Sequence, residues 1–398
     1  MRKLLLSACL AAACWIGDAR AMHGYPNSYS PEKINSVHEI YEGKELDISS
    51  WGNKELLSQY KKFPNVEVLT ADLNVFRITY CNSLGILFYG EQFKLDLNKF
   101  PKIKKLKLSS NRKECSLASR HSVTMGYNIQ LTELSTLGGM ENLEELDMSR
   151  LSIAKIPDSI QNFRCLKKLY LGDNFLEKLP RSIGNLTNLE TLILGTDAGE
   201  WSNCLVTLPN SIGNLVNLKV LDLFGCNLRE LPATIGNLRN LEGLFLGFNK
   251  LLRLPESIGN LRKLEMLSFG WPSGVSIDSI RCWERETGRS FLNEYRNQRN
   301  IKVEIPETIG NLVNLRSLRL YNCLALETLP DSIGNLVNLQ SLYLSDNPAL
   351  KTLPDPIGNL VNLEYLSVDD CVALPPTVRN LKKLGSHKLE KLEKQIVD

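Results

Sequence analysis

The string LPDSIGNLVNLQSLYLSDNPALKT at residues 329–352 is followed at once by LPDPIGNLVNLEYLSVDD. Further copies begin at Ile156, Leu179, Leu208, Leu231, Leu254 and Ile305, with a partial one at Leu374, and several are spaced by 23 residues. A period of this length describes a stack of coils rather than a closed globule. Each copy is one small unit that cannot bury its apolar face alone, so neighbours must cover it.

The copy at 329–352 shows how one coil works. Leu342 and Leu344 are two apart and point the same way from a strand, while Ser341, Tyr343 and Ser345 point the other way. Asn347 ends the strand, and its amide can both donate to and accept from the backbone of the bend. Pro330 opens the return segment, where no ladder needs its missing N–H. Ser332 or Asp331 is placed to cap a short helical turn. Ile333, Leu336 and Leu339 follow at threes, which suits one apolar side of a 3₁₀ or α turn. Gly334 permits a tight backbone. The Asn position varies along the chain as Asn174, Cys226, Asn249, Cys323, Asn347 and Cys371, and the three thiols are expected to be small buried residues.

The consensus L-P-x-S-I-G-N-L-x-N-L-x-x-L-x-L-x-x-N resembles the leucine-rich repeats of Ras-scaffold proteins, plant intracellular Ras-group-related proteins and disease-resistance-type proteins. The resemblance covers residues 140–384 well and the earlier part weakly. It implies an α/β fold, a curved solenoid with a parallel concave sheet and short helical or 3₁₀ turns on the convex side. It also implies protein recognition on the concave face. With strands roughly 4.8 Å apart, about ten coils give a surface on the order of 50 Å long.

The repeat sets the domain limits. Residues 22–139 read as an N-terminal cap followed by degenerate coils, of which FPNVEVLTADLN and FPKIKKLKLSSN keep the apolar ladder. In the cap, Ser30-Pro31-Glu32 before KINSVHEIY reads as a helix start. Residues 140–384 are the regular array, with an insertion at about 272–303 rich in Arg and aromatic residues and a shorter one in the copy from Leu179. Residues 385–398, NLKKLGSHKLEKLEKQIVD in context, read as a polar-faced capping helix.

Residues 1–21 read as a signal peptide. Arg2 and Lys3 precede an apolar stretch too short to span a bilayer, and Ala19-Arg20-Ala21 is a small-x-small site with cleavage expected after Ala21. This places the protein in a secreted or extracytoplasmic setting. No other segment is apolar enough to cross a membrane. A formal charge of +3 over 398 residues predicts no nucleic-acid partner.

No catalytic site is expected. His23, His38, His121 and His387 are scattered, without metal-ligand spacing among themselves or with Cys. No nucleophile elbow, P-loop or dinucleotide fingerprint occurs, so neither metal nor cofactor is expected. The outward strand positions hold the remaining signal: Tyr170, Phe224, Phe245, Phe248, Tyr321, Tyr343 and Tyr365, with Asp222, Arg319, Asp346 and Asp369. Rings at solvent-facing positions of adjacent strands would make an aromatic strip suited to gripping a protein. The expectation is an exported, monomeric, non-catalytic interaction module, a bacterial host-directed effector being one form of it. The alternative is an envelope-associated or lipid-anchored structural protein or adhesin, and a glycan or small-ligand binder is a third reading.

Overall fold

The computed structural model describes residues 38–40, 44–47, 60–62, 65–72, 102–109, 142–151, 153–195, 203–270, 303–323 and 325–397. Its strands are β1 (His38–Ile40), β2 (Glu45–Asp47), β3 (Tyr60–Lys62), β4 (Val68–Asp72), β5 (Lys105–Ser109), β6 (Glu145–Asp147) and β7 (Lys168–Tyr170). They continue as β8 (Thr191–Ile193), β9 (Val220–Asp222), β10 (Gly243–Phe245), β11 (Met266–Gly270), β12 (Ser317–Tyr321), β13 (Ser341–Tyr343) and β14 (Tyr365–Ser367). β2 and β4 to β14 form one 12-stranded sheet in chain order, and β1 pairs with β3 separately. Every pairing is parallel. A parallel sheet in strict chain order requires every connection to return along the same side, which makes a solenoid.

Each return from β6 to β14 contains a five-residue 3₁₀ turn, as at Asp331–Asn335 and Asp355–Asn359. The helical spacing is tight because hydrogen bonds chain along it: Ile333 N–H donates to the Pro330 carbonyl, Leu336 to Ile333 and Leu339 to Leu336. The cap is backbone alone. Pro330 sits at the N-cap in an extended conformation and no side chain caps the turn, so the expected Ser332 or Asp331 cap does not form. Gly334 serves a different purpose from local bending: a Cβ there would stand 2.5 Å from the Pro356 carbonyl oxygen of the next coil. Its absence lets the coils stack at strand spacing.

The core is one continuous column. Leu69, Leu106, Leu146 and their successors to Leu366 are in register across the sheet and 0–3% exposed. In the coil from Leu329, the residues Ile333, Leu336, Leu339, Leu342, Leu344 and Leu350 are all fully buried. Fully burying each such side chain is worth about 1.5–3 kcal/mol, so coil-to-coil contact supplies the driving force. The degenerate coils join the same column through Val66, Ile103 and Leu108.

At the C-terminal end, α1 (Ser386–Glu393) buries Leu392 against the last coil, and Leu374 bridges to Ile396. At the other end, residues 38–40 of the expected helix form strand β1. The signal-peptide reading, the rest of that helix and both insertions lie outside the described residues.

Candidate functional site

The buried Asn column shapes the rim on which the outward face rests. Asn174 Oδ1 accepts from the N–H groups of Leu151 and Ile153, each at 3.0 Å. Its Nδ2 donates to the carbonyls of Met148 and Leu171 at 2.9 Å and Gly172 at 3.3 Å. Asn249 and Asn347 repeat the arrangement. So does Asn203, which the aligned copies did not reveal because it follows the shorter insertion; it bonds Leu176, Leu171 and Leu194. NCLVTLP beginning at Asn203 mirrors NFLEKLP beginning at Asn174, and that pattern was the available signal.

Cys226 and Cys323 occupy the same column and are buried, so burial pushes both thiols well up from their ordinary range. Cys371 is exposed, contrary to expectation. In that last turn Asp369 provides the acceptor instead, taking the N–H groups of Asp346 and Asn347 at 3.0 Å.

The outward residues fall into two groups. Toward the middle, Phe224 stacks on Phe248 with ring centroids 5.8 Å apart, and Phe245 lies over Gly243 beside Met266. Phe248 is not open to solvent: it is 1% exposed, buried against the stacked Phe224 ring rather than among the core leucines. Asp222 is committed to its own turn, accepting from the Phe224 N–H at 2.9 Å. Toward the C-terminal end, Tyr321, Tyr343 and Tyr365 step diagonally across β12, β13 and β14, with centroids 5.4 and 4.7 Å apart. The guanidinium carbon of Arg319 lies 5.3 Å from the Tyr343 centroid. Tyr170 stands apart on β7, half-buried; burial and the nearby Glu145 and Asp147 carboxylates raise its hydroxyl to about 12. Burial raises Tyr321 to about 12 as well. Both therefore remain hydrogen-bond donors throughout the physiological range. The tyrosines alternate with small hydroxyls at Ser317, Ser341, Ser345 and Ser367, and the last two pair with each other.

A second feature lies along the strand entrances. Glu67, Lys104, Glu144, Lys167, Glu190, Lys219 and Glu242 follow one another on consecutive coils, each after Glu67 donating its N–H to the carbonyl of the residue before it in the row. Lys104–Glu67, Lys167–Glu144 and Lys219–Glu190 close as ion pairs. Lys167 Nζ donates to Glu144 at 2.8 Å and lowers the Glu144 carboxyl below its ordinary value, against the desolvation that would raise it. A lowered folded pKa means the pair favours the folded coil above the unfolded carboxyl's pKa. That gain disappears as pH falls through the folded value. Carbon-detected NMR titration should place Glu144 below a free glutamate, and Lys167→Met should move it upward. An unmoved midpoint would show that the pair does not form in solution.

Among the described residues no group of three or more His, Cys, Asp or Glu could hold a metal ion, and no helix is long and apolar enough to cross a membrane.

A family model described as a leucine-rich repeat region matches residues 200–281 and 292–397. No curated protein matches the chain. Among solved structures, a leucine-rich repeat protein of Leptospira interrogans is 22% identical, over 88% of this chain and 99% of its own, with a TM-score of 0.37. A TDR receptor is 18% identical over 84% of this chain, which spans 48% of the receptor chain, with a TM-score of 0.50. The leucine-rich repeat domain of the type III effector XopL is 26% identical over 68% of this chain and 82% of its own, with a TM-score of 0.47. The repeated coil, the sheet in chain order and the matched region agree on the fold, a curved leucine-rich repeat solenoid whose regular coils are similar to the leucine-rich repeat region family.

Proposed function

We propose that the protein is an exported, non-catalytic interaction module that grips a protein partner on its concave face. The observation that carries this reading is the composition of β12 to β14, where three tyrosines and an arginine alternate with serines on a rigid sheet. Tyr and Arg are enriched at binding hot spots, and Tyr supplies broad contact area with little rotamer freedom to lose. Ser beside it supplies adaptable hydrogen bonds. The leucine column holds the strands beneath these rings, so little ordering remains to be done on association. Export rests on the positive, apolar and small-x-small succession of residues 1–21.

Affinity capture with the mature chain tests the reading. Tyr343→Ala combined with Phe245→Ala should reduce the retained partner by about ten-fold, as expected for two hot-spot rings. The melting temperature should stay nearly constant, because both rings lie outside the leucine column. Equal loss of capture and of stability would instead mean that the rings serve only to shield the sheet.

A further inference from the structure

The two ends of the concave face differ in how their charges are used. On β5 to β7, Lys105 and Lys168 both approach Glu145 at 3.7 Å, and Arg150 pairs with Asp173 at 3.1 Å. Opposite charges there satisfy each other. At the β12–β14 end the cation Arg319 is laid over Tyr343, while Asp346 and Asp370 are exposed and Asp369 is half-buried at the strand ends. The two backbone N–H groups of Asp346 and Asn347 fix the Asp369 carboxylate in place. Two bonds leave acceptor capacity on a group with about four lone-pair sites.

Resting on the reading above, we propose that this end of the face docks a basic segment of the protein partner, one presenting Arg or Lys side chains. Arg319 on Tyr343 demonstrates the contact within the molecule: a guanidinium laid on a ring of this patch. The next ring, Tyr365, lies 4.7 Å from Tyr343 and is 45% exposed. Tyr365, Ser367 and Asp369 occupy alternate positions of one extended segment, roughly 6.6 Å apart. A basic side chain on Tyr365 and another at Asp369 therefore match an extended peptide running beside β14, with Ser367 between them as a hydroxyl partner. Asp346 and Asp370 add to the field that draws such a segment in.

A dodecapeptide library displayed on phage and selected on the full chain tests this. The enriched peptides should be rich in Arg and Lys. By fluorescence anisotropy their affinity should fall about ten-fold with Tyr365→Ala and by a similar factor with Asp346→Asn plus Asp370→Asn, magnitudes expected of hot-spot rings and close charge pairs. The charge variant leaves the turn intact, since Asn accepts the left-handed φ of 62° at residue 346. Added salt should weaken binding. Acidic or uncharged consensus peptides would overturn the basic-segment inference, as would full affinity in the charge variant. If such peptides were still lost with Tyr343→Ala plus Phe245→Ala, the interaction face would stand. Peptides indifferent to both sets of changes would overturn both readings.

Discussion

Asn174→Leu is expected to lower the unfolding free energy by about 4 kcal/mol, near the upper end of single-residue effects. The amide serves five backbone groups at once and is 1% exposed, so water cannot replace it. Each orphaned buried group costs about 1–3 kcal/mol. The sum is reduced because the Gly172 carbonyl keeps a second donor, the N–H of Arg150. Leucine matches asparagine closely in size, so lost packing is not the cause. Urea unfolding followed by linear extrapolation measures the change. The comparison is Asn188→Ala, whose exposed amide bonds the single carbonyl of Arg164 and should cost less than about 1 kcal/mol. Similar losses in the two variants would mean that the buried column does not organise the bend.

Gly270→Ala should cost about 3 kcal/mol, from a left-handed backbone and overpacking together. Residue 270 has φ of 88°, and a Cβ there would overlap the Tyr321 carbonyl oxygen and stand 2.5 Å from the Cys323 Sγ. Neither neighbour can move freely: the carbonyl belongs to β12 and the thiol lies in the buried column. Gly385→Ala separates the two causes. Its φ is 77° with ψ of 150°, a region essentially reserved for glycine, yet nothing lies within 4 Å of the added carbon, so about 2 kcal/mol of backbone strain is expected alone. Thermal unfolding of both variants reads the difference. Equal effects would show that β11 does not press against β12 at residue 270.

The stacked coils were legible because the positions of Leu342, Leu344, Ile333, Leu336 and Leu339 recur in every regular copy at spacings that a strand and a short 3₁₀ or α turn satisfy together. Their burial follows from that pattern alone. The outward face was legible only in part. Alternation predicts a side correctly within a strand, as for Tyr343 and Tyr365, but Phe248 lies three residues beyond the end of β10. There the Phe224 ring of the preceding coil covers it, a contact that no periodicity encodes. Asp222 was readable as an outward acid but not as the acceptor of its own bend, since the carboxylate's partner is a backbone N–H two residues on. Asn203 was hidden by the insertion before it. The row from Glu67 to Glu242 escaped notice for another reason: its members are far apart in the chain, and their alternating sign appears only when coils are laid side by side.

That row carries a consequence for how such a protein can change length. Because sign alternates from Glu67 to Glu242, excising any one coil within it brings two like charges together, whereas excising two adjacent coils joins acid to base again. Growth or shrinkage by pairs thus leaves the stretch electrostatically matched, and odd changes do not. The same parity disfavours slippage of the stack by one repeat, where leucines alone would fit equally well.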